Sequence, residues 1–254
     1  MDVVTAAEER WIEPFSGLLP RVFARLVRQL EREGADLPRR GRPWSLPLAD
    51  RVLSVAAYWR TNLILRQLAP LFGVSKSASD RIIDDLGPKL ALRPRKRFAP
   101  GTVLIVDGAL VPTRDRSVSA PSKNYRYSTN HQVVIDADTH LVVAVGRPLP
   151  GNRNDCKAFG ESDAEHACRN HDVIGDGGYI ATCAIIRHRW RPGEDLLSWK
   201  VEHNASHRQV RAQVEHAFAR LKTWKILRDC RLRGDGVAVA ISGIARLHNL
   251  ARTG

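Results

Sequence analysis

Val103-Leu104-Ile105-Val106-Asp107-Gly108 is a run of four apolar residues closing on an acid and a glycine. An apolar run this short, bounded by a turn signal, reads as a strand buried on both faces. Asp107 is then expected where the strand ends. Toward the C-terminus, Val133-Val134-Ile135 is a second strand, and Asp136-Ala137-Asp138-Thr139-His140 turns it into a third, Leu141-Val142-Val143-Ala144-Val145. That is a hairpin signal. Residues 153–170 are expected to be helical. Val173-Ile174 is a fourth strand, ended by Asp176-Gly177-Gly178. A long helix is expected over 205–226 and a last one over 237–252. The order β, β, β, α, β, α predicts a three-layer α/β sandwich rather than a Rossmann fold. Neither GxGxxG nor GxxxxGK[ST] occurs, so nucleotide-cofactor chemistry has no support.

Toward the N-terminus the period changes from strand to helix. Leu18, Val22, Leu26 and Leu30 recur at steps of four, one apolar stripe that stops at Gly34. Pro38-Arg39-Arg40-Gly41-Arg42-Pro43 is a basic linker rich in helix breakers. Leu48, Val52, Val55 and Trp59 mark another helix, broken at Thr61-Asn62. Leu65, Leu68, Ala69 and Phe72 mark a short one ended by Gly73. Ser75 is a good N-cap for a third, lined by Ala78, Ile82, Ile83 and Leu86. The last two, joined by Phe72-Gly73-Val74-Ser75, read as a helix-turn-helix, whose steep crossing needs a tight turn. Lys76, Ser77, Asp80 and Arg81 would then face outward near the start of a recognition helix, the part that reaches base edges. Arg93-Pro94-Arg95-Lys96-Arg97 reads either as a linker tracking phosphates or as a solvated hinge. The expected organisation is a helical segment and linker over 1–43, the helix-turn-helix over 44–92, a basic linker over 93–100 and an α/β domain over 101–254.

The 254 residues carry 40 Lys and Arg against 27 Asp and Glu, a formal charge of +13. A hydrophobic share of 43% is enough for a real core and excludes a disordered basic tail. The charge favours a polyanion as partner, nucleic acid first. No apolar run approaches the roughly 18 residues of a membrane span, so no membrane partner is expected. Met1-Asp2-Val3-Val4 has neither the basic start nor the apolar core of an export signal, and a cytoplasmic location is expected. Cys156, Cys168, Cys183 and Cys230 fit no zinc pattern and read as reduced thiols.

Three acids sit among apolar neighbours. Asp107 and Asp176 each close a strand, and Glu215 lies in a helix beside Val214, Ala217 and Phe218. Ligands of α/β sheets gather at the carboxyl ends of strands, where a glutamate on a covering helix could complete a cluster. Three close carboxylates repel and need cations. Oxygen ligands favour Mg²⁺ or Mn²⁺, and two such ions can serve an in-line attack on phosphorus. Turns after strands and a surface glutamate would explain the same residues. Asp115, Asp136, Asp138, Asp155 and Asp172 compete for the role. Arg211, Glu215 and Lys222, at +4 and +7, fall within roughly 40° of each other on a helix, an acid between two cations. A surface pair of Arg211 with Glu215 is the plain alternative.

In order along 44–252, these residues resemble a family, the DDE-type transposases of bacterial insertion sequences, in the branch that includes the Harbinger-type nucleases. Leu65 to Ser75 resembles its helix-turn-helix. Ile105-Val106-Asp107-Gly108 and Ile174-Gly175-Asp176-Gly177-Gly178-Tyr179 resemble the strands bearing its two catalytic aspartates. Pro150-Gly151-Asn152-Arg153-Asn154-Asp155 resembles its Pro-Gly loop, Val214-Glu215-His216-Ala217-Phe218-Ala219-Arg220-Leu221-Lys222 its glutamate helix, and Leu247-His248-Asn249 its closing motif. The resemblance implies an RNase H-like fold and metal-dependent strand cleavage and transfer at terminal inverted repeats. It implies Asp107, Asp176 and Glu215 as ligands of two divalent ions, Mg²⁺ or Mn²⁺. Arg211 and Lys222 would contact DNA or steady the site, and a homodimer or higher assembly would form on double-stranded DNA. The sequence departs from the family at Arg208, where many relatives have Tyr, and at Asn154, where many have His before the loop aspartate. A DNA-binding regulator with a degenerate nuclease domain, or a structure-specific nuclease without strand transfer, are the rival readings.

Overall fold

The computed structural model describes residues 3–37, 41, 43–190, 192–193 and 195–254, except for the side chain of Gln213. Pro38, Arg39, Arg40 and Arg42 of the expected basic linker lie outside the described residues. The elements run α1 (Ile12–Ser16), α2 (Pro20–Arg32), α3 (Leu48–Thr61), α4 (Leu65–Leu71), α5 (Lys76–Leu90), β1 (Val103–Pro112), β2 (Ser128–Asp136), β3 (Val142–Val145), β4 (Leu149–Pro150), α6 (Asp155–Glu161), α7 (Ala164–Ala167), β5 (Asp172–Ile174), α8 (Ser198–Leu221) and α9 (Gly236–Thr253). Two compact units result. One holds Met1–Leu92 with Lys222–Arg231 and Val239–Gly254, the other Arg93–Leu221 with Leu232–Ala238. The linear reading gave all of 101–254 to the α/β domain; by contacts, most of α9 belongs with the helices of the N-terminal unit.

In the helical unit the predicted stripe is the buried one, with Leu18, Val22, Leu26 and Leu30 all withdrawn from solvent. Helix α3 ends where Asn62 takes a left-handed conformation, φ 52°. Between α4 and α5, Gly73 has φ 63°, a conformation that side chains rarely adopt and that the tight turn requires. Ser75 caps α5, its Oγ accepting from the Ala78 amide at 3.1 Å. Ser79, rather than the expected Ala78, turns into the core with Ile82, Ile83 and Leu86. The ring of Trp59 is fully buried, and a Cβ on Gly243 of α9 would run into it.

The other unit is built on one sheet in the order β3-β2-β1-β5, with β4 also paired to β2. Strands β1, β2 and β3 are antiparallel neighbours, and β5 runs parallel to β1. Leu104 and Val106 pack with Phe159 of α6 and Ala164 of α7. Ile105 alternates to the opposite face and is equally buried, and α8 packs against β1. This mixed sheet between helices is the RNase H-like class expected.

Several boundaries differ from the reading above. Strand β1 does not stop at Asp107-Gly108; it continues to Pro112, with Asp107 opposite Val133 and Gly108 opposite Gln132. It is β5 that stops, pairing only Val103–Ile105. Asp107 therefore lies where β1 outruns its parallel neighbour. Strand β2 starts at Ser128, five residues earlier than expected, because Ser128-Thr129-Asn130-His131-Gln132 is polar yet wholly buried. Helix α8 spans Ser198–Leu221, which leaves Lys222 one residue beyond its end. The single helix expected over 153–170 is two, α6 and α7, interrupted at Ser162.

Candidate active site

The two sequence-predicted aspartates converge at the end of β5. Asp176 follows that strand by two residues and caps the next turn, its Oδ1 accepting from the Gly178 amide at 2.7 Å. Asp107 meets it from β1. Burial pushes the Asp107 carboxyl up to about 6; the negative charges of Asp176 and Asp155 act in the same direction, while the Arg211 guanidinium and the Gly108 amide oppose them. Arg211 of α8 donates from Nη2 to Asp107 Oδ2 at 3.2 Å. The plain alternative of an Arg211–Glu215 surface pair is thus replaced by an ion pair that joins α8 to the central strand.

Glu215, one turn on from Arg211, is exposed and lines a cavity of about 310 Å³ together with Asp176, Arg187, His207, Arg208 and Arg211. Buried His207 fastens this helix to the strand edge, its Nε2–H donating to the Gly175 carbonyl at 2.9 Å. Desolvation holds its pKa below the usual histidine range, against the opposite pull of this contact. Arg187 and Arg208 also line a second cavity, of about 610 Å³, that includes Arg189 and the exposed Trp190. The cation at 208, one of the two departures from the resemblance, therefore faces the same cavity as Asp176 and Glu215.

Behind the aspartates lies a polar set in which sequence reasoning named Asp155 as a competing acid but missed its partners Asn130 and Gln132. Asp155, at the start of α6, receives two amides on Oδ1, from Asn130 Nδ2 at 3.0 Å and from Gln132 Nε2 at 3.2 Å. Gln132 Nε2 also donates to Asn130 Oδ1 at 2.9 Å, and Tyr179 donates its hydroxyl to Gln132 Oε1 at 2.6 Å. Burial, with the charges of Asp155, Asp107 and Asp176, drives the Tyr179 phenol well above its ordinary pKa and keeps it a donor. The only signal in the sequence was the polar run at the head of an apolar strand, which looks like loop when read alone.

Among the described residues, no three His, Cys, Asp or Glu side chains lie close enough together to hold an ion. The donor chemistry nonetheless fits a hard divalent cation. The acids that act on Asp107 are carboxylates only, they repel, and the charge opposing them comes from Arg211. In the helical unit, Lys76, Ser77 and Arg81 are exposed on the first turns of α5, as expected of a recognition helix. Arg81 Nε donates back to the Ser77 carbonyl at 3.2 Å. Arg95 is committed elsewhere: it pairs with Asp136 at 2.8 Å, and its backbone amide donates to Val143, so this part of the basic stretch is fastened to the sheet. All four cysteines are free thiols. No described helix is long and apolar enough to cross a membrane.

Two family profiles match the chain in succession. A profile described as Transposase DDE domain matches residues 99–250, and one described as Helix-turn-helix of DDE superfamily endonuclease matches 44–96. The chain is 70% identical, over 99% of both chains, to a protein from Streptomyces albus G assigned as transposase for insertion sequence element IS112. It is 23% identical to one from Microchaete diplosiphon assigned as transposase for insertion sequence element IS702, over 86% of this chain and 85% of the relative. No solved structure matches the chain significantly.

Proposed function

The chain belongs to the DDE transposases, and from that premise we propose that it binds the terminal inverted repeats of its own element through α4, the Gly73 turn and α5, and cuts and joins DNA strands at Asp107, Asp176 and Glu215. The supporting observation is the convergence of Asp107, Asp176 and Arg211 at the end of β5, with Glu215 on the wall of the Asp176 cavity. The three carboxylates would hold two divalent cations, Mg²⁺ or Mn²⁺. Bound there, such ions would supply positive charge to stabilise the reacting phosphodiester.

The chain's own groups do the rest. Arg187, Arg208 and Arg211 grip phosphates flanking the scissile bond, since guanidinium forks match phosphate oxygens. Tyr179, Gln132 and Asn130 keep the acidic side of the site in one geometry. In the first step water forms a bond to phosphorus and the bond to the 3′ oxygen breaks, freeing a 3′-hydroxyl. In the second step that hydroxyl attacks a target phosphodiester, so one P–O bond forms as another breaks. Each step exchanges like for like and needs no energy cofactor. Lys76, Ser77 and Arg81 contact the repeats, and Lys222 adds a further phosphate contact. Two ends must be held together, so the working form is a dimer or higher assembly on DNA, in the cytoplasm with the nucleoid.

Asp107→Asn and Asp176→Asn should each abolish cutting of cognate ends in Mg²⁺ or Mn²⁺ while repeat binding in a gel-shift assay persists. Retained cutting by either variant would remove the assignment. A joining assay with pre-cut ends separates a transposase from a nuclease of the same fold.

A further inference from the structure

Asp155 belongs to none of the three positions assigned to the metals, yet the site is built around it. We propose that Asp155 is a fourth carboxylate ligand of the divalent-metal site, sharing an ion with Asp176. The proposal rests on the transposase reading of that site and adds a residue to it.

Four observations carry it. First, β1 gives up a side chain beside Asp107: a Cβ on Gly108 would fall inside the van der Waals envelope of Asp155 Oδ1. The glycine is therefore a close-approach position in mid-strand, not the turn residue that an Asp-Gly pair suggests. Second, the position a Cβ would take on Gly178 is 2.9 Å from Asp176 Oδ1 and 3.5 Å from Asp155 Oδ2. The glycine thus leaves room beside an oxygen of each acid. Third, the amides of Asn130 and Gln132 converge on Oδ1, and among the described residues no hydrogen bond is made to Oδ2. Orienting a carboxylate through one oxygen leaves the other to a ligand, the usual role of groups behind a metal site. Fourth, Asp155 is not needed to start its helix. Asn154 is the N-cap, its Oδ1 accepting from the Lys157 amide at 2.9 Å.

A purely structural Asp155 would serve as the hub of the Asn130–Gln132 network. The two roles differ in what asparagine does. Asp155→Asn keeps an oxygen for both amides but removes a charge from a repelling cluster. A ligand role predicts that its melting temperature without metal is unchanged or raised, while Mn²⁺ affinity, measured by calorimetry on the full chain, falls about tenfold or more. Asp155→Cys gives a second reading independent of that variant's folding. A thiolate prefers soft ions, so the ratio of Cd²⁺ to Mn²⁺ affinity should rise above the wild-type ratio, which already includes the native cysteines. Wild-type Mn²⁺ affinity in Asp155→Asn, or an unchanged Cd²⁺ to Mn²⁺ ratio in Asp155→Cys, overturns the proposal. Asp107→Asn and Asp176→Asn run alongside: if these also bind Mn²⁺ normally, the site reading itself fails, and if only the Asp155 variants do, this proposal fails alone.

Discussion

His131 shows at the scale of one residue how far this sheet has traded apolar for polar side chains. It is completely buried in β2 opposite Ala109, with Thr129 Oγ1 3.0 Å from Nε2. Burial lowers its pKa to about 4. Unfolded, it titrates near 6.5. Between those values the unfolded chain binds a proton that the folded chain refuses, so this residue's contribution is full above about pH 6.5 and is lost as pH falls to about 4. The expected slope is about 1.4 kcal/mol per pH unit. Denaturant titrations across that window should show it, and His131→Gln should flatten that part of the profile; an unchanged slope would mean the ring is protonated inside the sheet. The legibility of single residues follows the same physics. Asp107, Asp176 and Glu215 could be read because an acid stands out against apolar neighbours. Asn130 and Gln132 could not, because a polar residue at the head of a polar run looks solvated until its partners across the sheet are known.

Elements were legible where periodicity did the work. The stripe of α2, the break after α3 and the cap of α5 all fall where spacing placed them. Their ends shifted where tertiary pairing overrode a local stop: β1 passes through an Asp-Gly pair because β2 remains alongside it to Pro112. The α5 cap is testable by itself. Ser75→Ala removes the acceptor for the Ala78 amide and should cost about 1 kcal/mol of stability, read by chemical denaturation. The exposed face of α5 has a different signature. Lys76→Ala or Arg81→Ala should weaken repeat binding and reduce the slope of log affinity against log salt by about one each, if each contacts a phosphate. A residue that reads a base edge instead should lose discrimination between repeat and random DNA with the slope unchanged.

For the whole molecule, the +13 charge predicts DNA affinity that falls steeply with salt, and a flat response would sink the phosphate-gripping role given to the arginines. The division into units was less legible than the folds of the units, because contact between distant segments leaves no local periodicity. The linear reading implied that residues 101–254 would stand alone. With α9 assigned mostly to the helical unit, a fragment 99–254 should keep its sheet but leave Ile241, Ile244, Ala245 and Leu247 without cover. Limited proteolysis of that fragment should cut within 239–254 first; resistance there would mean that α9 holds to the sheet unit unaided.

Trp59 and Gly243, fitted to each other 184 positions apart, also order events during synthesis. The sheet unit's main segment has left the ribosome while the helical unit still waits for its final helix. The part that grips DNA, although made first, is completed last. A product stopped before α9 would carry the sheet unit beside an unfinished helical unit, and Trp59 would lack the neighbour that Gly243 lets approach.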